Sequence, residues 1–91
     1  MGFRLGEGEI WIKETEPKYK GRFFHRKSTG LNHLAFRVET KEEVDLFYRE
    51  FLKPRNISSL YDSPAHYPYT EKYYAVYFED PDRIKLEIVH F

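Results

Sequence analysis

His33 and Glu87 are the residues of this chain best suited to chemistry, because each sits in a strand-like segment on the side opposite its aliphatic neighbours. In IKLEIVHF, Ile84, Leu86 and Ile88 alternate with Lys85, Glu87 and Val89, so a period of two puts the carboxylate on the face away from the aliphatic set. In LNHLAFRVE, Leu34, Phe36 and Val38 alternate in the same way with His33, Ala35 and Arg37. One helix covering both aliphatic sets would leave His33 and Glu87 on a shared opposite face. Imidazole nitrogen and carboxylate oxygen together suit a divalent ion such as Mn, Fe, Ni, Co or Zn. The competing reading of Glu87 is a strand face that is simply wet. Two ligands make a weak site, so a third would have to come from His25, from another chain or from a segment not present here. His25 is also a candidate for substrate binding but reads more readily as an exposed loop histidine; the case against His66, in a loop, and His90, alternating with the core face of the last strand, is stronger still. Arg37 shares the face of His33, and Tyr77 opposes Val76 and Phe78, which makes both candidates for a substrate-binding wall. For Arg37 a surface salt bridge is the alternative.

The elements that must hold these residues are legible from period and punctuation. YYAVYFE, DPDR and IKLEIVHF read as strand, turn and strand, with Asp80-Pro81-Asp82 supplying the turn. Thr40 with Glu43 forms a capping box, and Val44, Phe47, Tyr48, Phe51 and Leu52 follow at helical spacing. The spacing predicts a helix over about 40–53, ended by Pro54. Leu34, Phe36, Leu86 and Ile88 are expected to join Val44, Phe47 and Phe51 in one core. A strand is expected over 57–61, and residues 62–72, with two prolines, His66, Tyr67 and Tyr69, read as a loop placed to act as a lid. Before Gly30, Gly6-Glu7-Gly8 turns a short β-hairpin, and the basic stretch 17–30 reads as a linker anchored by Phe23 and Phe24. The expected fold is α+β, a single domain over 1–91: an additional N-terminal β-hairpin and linker at 1–29, then a βαβββ module at 30–91.

Composition narrows the function classes. At 91 residues the chain buries only about 60–65% of its unfolded surface, so its rings, 8 Tyr, 8 Phe and 1 Trp, must supply much of the core or line a pocket. Fifteen basic and fifteen acidic residues cancel, which argues against a general grip on nucleic acid or on an anionic membrane. There is no Cys, hence no disulfide or thiol chemistry, and no apolar run long enough for a bilayer or a signal peptide, so the expected location is cytoplasmic.

GLNHLAFRVETKEEVDLFYREFL and YYAVYFEDPDRIKLEIV resemble the second module of the vicinal oxygen chelate superfamily, the glyoxalase, bleomycin-resistance and extradiol-dioxygenase group. The resemblance covers residues 30–91. It implies a cupped sheet built from paired βαβββ modules around a divalent metal, with His33 and Glu87 at the family's ligand positions in the first and last strands. It implies a small oxygen-bearing substrate, whose enolate or oxyanion the metal stabilises in a lyase, isomerase or dioxygenase reaction. The alternative within the resemblance is a metal-free binding module of the bleomycin-resistance kind, or an inactive remnant. GFRLGEGEIWIKE resembles the last hairpin of a first module without its opening strand and helix, and Ile12, which cannot coordinate, stands where a first-module carboxylate could be, similar to the fosfomycin-resistance branch, whose corresponding strand supplies no ligand. The family usually has Gly where Arg83 stands, a substitution that matters if the turn needs a positive φ. The missing half leads to the expectation of a homodimer in which each copy completes the other's sheet.

Overall fold

The helix begins where its cap predicts. Thr40 Oγ1 accepts from the Glu43 amide at 3.1 Å, and the Glu43 carboxylate reaches back to the Glu39 amide at 3.2 Å. The computed structural model describes residues 1–91. In it α1 spans Lys41–Phe47, continues as a wider π-type turn through Leu52, and tightens into a 3-10 turn over Lys53–Arg55. Pro54 therefore lies inside the last turn instead of ending the helix before it. The chain is released by Asn56, at φ 55°, a left-handed position that Asn tolerates.

Six strands flank this helix. β1 (Gly2–Leu5) and β2 (Gly8–Trp11) form an antiparallel hairpin of their own. β3 (Leu34–Arg37), β4 (Ser59–His66), β5 (Tyr74–Glu79) and β6 (Lys85–His90) form a mixed sheet in the order β3-β6-β5-β4. β6 is central, parallel to β3 and antiparallel to β5. The βαβββ arrangement is thus as expected, except that β4 runs on to His66 through the segment read as a loop. Proline in a strand signals a break, but here a bulge between Leu60 and Ala65, with Tyr61 and Asp62 at positive φ and a cis Ser63-Pro64 bond, accommodates it.

Alternation along β5 and β6 creates two cores. On the helix face Val44, Leu52, Val76 and Phe78 are buried, with Phe47, Leu86 and Ile88 packed on them. On the opposite face Ala75, Tyr77 and Val89 are buried beneath Leu60, Tyr67 and Tyr73. Each fully buried aliphatic side chain contributes about 1.5–3 kcal/mol. Leu34, Phe36 and Phe51 lie outside the single core expected from the pattern. Phe51, 38% exposed, stacks on Phe47 at the rim, while Leu34 and Phe36 face a groove shared with Phe3 and Trp11 of the hairpin. The short α1 does not reach far enough to cover both edges of the sheet. No helix is long and apolar enough to cross a membrane.

The β5–β6 turn keeps the conformation that glycine would suit. Arg83 adopts φ 67°, and Asp80 Oδ1 accepts from the amides of Asp82 and Ile84, both at 2.8 Å. The linker is anchored only in part as the sequence suggests. Phe23 is 93% exposed while Phe24 is half-buried, and Arg26 also fastens the segment to the end of β5 through Glu79 at 2.9 Å.

Candidate functional site

Glu87 stands at the middle of the central strand, opposite Ala35 of β3 and Tyr77 of β5, and only 1% of its surface is exposed. A buried carboxylate needs partners, and both of its oxygens have one. His33, immediately before β3, places Nε2 at 3.1 Å from Oε1, and the Tyr73 hydroxyl donates to Oε2. The other imidazole nitrogen, Nδ1, lies 2.7 Å from Asn32 Oδ1. An amide oxygen accepts only, so the Nδ1 proton points at Asn32 and the neutral ring turns a bare Nε2 lone pair towards a carboxylate oxygen. Two acceptors face each other unless a cation lies between them. A second ring proton would satisfy the pair, and so would a metal ion: two adjacent ligands on one ion, with bonds of about 2.0–2.2 Å, lie roughly 3 Å apart. A proton donated from the far ring nitrogen to a carbonyl is also how metal-bound histidines are oriented. Donor chemistry and separation therefore fit a divalent ion. No group of three His, Asp or Glu side chains assembles, so any further ligand lies outside this set.

Above this pair the concave face opens into a cup of about 540 Å³ walled by Tyr61, Tyr67, Tyr69, Tyr73 and Tyr77, with Lys85 at one side. The rings meet mostly edge to face, Tyr61 and Tyr67 each 5.4 Å from Tyr77, and Tyr69 4.9 Å from Tyr73. Burial, then the hydrogen bond to Glu87, pushes the Tyr73 hydroxyl up to about 12. Burial and the neighbouring Tyr73 and Glu87 raise Tyr77 further still. Both remain protonated donors at any physiological pH. Tyr61 goes the other way: burial raises it, but hydrogen bonds from Lys85 and Arg26 outweigh that and bring it below the ordinary tyrosine range.

The residues singled out from sequence fare unequally. His33, Glu87 and Tyr77 converge. Arg37 does not line the cup: its guanidinium donates to the Phe91 carbonyl at 2.6 Å and stacks 4.2 Å from the Phe91 ring. Alternation fixes a face but not a distance, and Arg37 lies four residues along the strand from His33, about 13 Å. His25 is half-buried in the linker, accepts from the Lys27 amide through Nδ1 at 3.1 Å, and does not join His33 and Glu87. His66 packs against Tyr74, 4.8 Å between centroids, and not over the cup. Lys85, Asn32 and Tyr73 were missed. The alternation that places Glu87 also places Lys85 two residues earlier on the same face, and that signal was available.

No family model matches the chain. Uncharacterized protein YqjT of Bacillus subtilis (strain 168) is 43% identical over 74 residues, 81% of this chain, and the chain spans 53% of that relative, about half its length. A crystal structure from Bacillus halodurans, described as a "putative glyoxalase", superposes with a TM-score of 0.86 at 39% identity, over 99% of this chain and 67% of that one. With the βαβββ order, the cupped face and this similarity over two-thirds of a solved relative, the chain belongs to the glyoxalase, or vicinal oxygen chelate, superfamily.

Proposed function

We propose that the cup binds a small oxygen-bearing substrate and that His33 and Glu87 hold a divalent metal, Mn, Fe, Ni, Co or Zn, beneath it, in a lyase, isomerase or dioxygenase reaction. The observation that carries this reading is the pair of acceptors, His33 Nε2 and Glu87 Oε1, set 3.1 Å apart with Asn32 at the far ring nitrogen. When bound, the metal supplies Lewis-acid stabilisation of an enolate or oxyanion on the substrate. The chain's own residues do the rest: Asn32 holds the imidazole tautomer, Tyr73 orients the Glu87 carboxylate, and Tyr77 walls the cup beside His33.

Two protein ligands from one copy are too few. We propose that a second copy supplies the remainder, docking at β3, which pairs with β6 on one side only. The competing reading is a metal-free binding module. It is favoured by the lack of a third ligand and by an imidazolium at His33 being able to satisfy the same pair. Cobalt(II) titration followed by visible absorption separates them. Saturable binding that disappears in both His33→Ala and Glu87→Gln is expected, and a wild-type protein with no saturable cobalt site supports the metal-free module instead.

A further inference from the structure

We propose that the cup selects ligands that are planar and anionic, with the negative group seated on Lys85 and the ring plane among the tyrosines. This rests on the cup being the ligand site, but not on the presence of a metal. Lys85 Nζ lies 4.7 Å from the Tyr61 ring centroid and 5.0 Å from that of Tyr77, and donates one proton to Tyr61 Oη at 3.1 Å. It is half-buried, and no carboxylate lies within ion-pair distance of it. An ammonium has three protons to donate, so two remain for a guest. The other cation near this wall, Arg26, is already committed to Glu79 at 2.9 Å.

An aromatic cage with an open mouth normally suggests a cationic guest held by cation–π contact. Here the cage holds its own cation. A second positive charge would meet Lys85 across the same rings, while a carboxylate or phenolate would gain a charge-assisted hydrogen bond. The negative charge within the cup is out of a guest's reach, because Glu87 is 1% exposed and its two oxygens face His33 and Tyr73. Burial first, and the Asp62 carboxylate after it, raise the Tyr67 hydroxyl, but Asp62 itself is exposed to solvent on the β4 bulge. The cup's volume of about 540 Å³ is ample for a single aromatic ring with substituents.

The test uses three ring compounds of similar size on the whole chain: benzoate, benzamide and benzyltrimethylammonium, titrated by NMR in the millimolar range. Benzoate is expected to bind about tenfold tighter than benzamide, the worth of one charge-assisted hydrogen bond, with the ammonium compound weakest. Lys85→Met should abolish the preference of benzoate over benzamide, and Lys85→Arg should restore it. Lys85→Gln, which keeps a donor for Tyr61 without the charge, guards against an effect of local disorder and should behave as Lys85→Met. Equal binding of benzoate and benzamide, tightest binding of the ammonium compound, absence of benzoate binding, or a preference that survives both Lys85→Met and Lys85→Gln would each overturn the proposal. Cobalt(II) uptake measured alongside reports on His33 and Glu87 independently, so loss of the metal reading leaves this one standing and the reverse.

Discussion

Asn32 Oδ1 and His33 Nδ1 lie 2.7 Å apart, and through that contact an exposed amide decides which face of the imidazole is free for Glu87. Removing the amide frees the ring to rotate and to change tautomer. Asn32→Ala is therefore expected to weaken cobalt(II) binding about 10- to 100-fold while leaving the denaturation midpoint nearly unchanged. Unaltered affinity would mean that Asn32 does not orient the ring.

Arg83 occupies the left-handed region at φ 67°, at a cost for a side chain of roughly 1–2 kcal/mol. Its ion pair with Glu79, 3.4 Å with Arg83 half exposed, returns little of that. Arg83→Gly relieves the strain and gives back part in unfolded-chain entropy, so a net gain of about 0.5–1 kcal/mol is expected in urea denaturation. A destabilised variant would show that the side chain contributes more than the backbone costs.

Tyr74 joins helix and sheet by donating to Asp45 Oδ1 at 2.5 Å. Burial first and this hydrogen bond second raise its hydroxyl to about 12 from the ordinary 10.0. The folded state thus holds the proton more tightly than the unfolded chain. The stability so gained is complete below pH 10 and falls as pH rises from about 10 towards 12. Chemical denaturation across that window should show a decline that is shallower in Tyr74→Phe, and parallel profiles for the two proteins would contradict the assignment.

Much of this architecture could be read before any coordinates. The capping box at Thr40 and Glu43 and the two alternations that put His33 and Glu87 on one face rest on local periodicities, which tertiary contacts reinforced. What escaped was non-local or irregular. β4 continues past Pro64 because a bulge turns the strand where proline normally stops it. Arg37 leaves the cup because the end of β3 lies beside Phe91, a contact that no alternation encodes. Lys85 was passed over because a lysine in an alternating strand reads as solvent-facing, and only the wall of tyrosines makes its side of the sheet an enclosed one.

Thr40→Ala removes the acceptor for the Glu43 amide at the start of α1. Because Val44 and Leu52 of this helical segment are fully buried, the loss is felt by the whole domain, at about 1 kcal/mol. Urea denaturation should show a lower midpoint with an unchanged slope. A Thr40→Ser variant should recover most of it.

The two halves of the His33–Glu87 pair are fastened to the sheet unequally. Glu87 belongs to a strand hydrogen-bonded on both sides, whereas His33 precedes a four-residue strand with a single neighbour. In a single copy an edge held by one ladder opens more often than the strand it leans on, so the β3 amides bonded to β6 should exchange faster than the bonded amides of β6. Every such opening carries His33 away from Glu87. Any molecule that bridges the two must close the edge as it binds, and the exchange rate of the β3 amides bonded to β6 becomes a measure of occupancy.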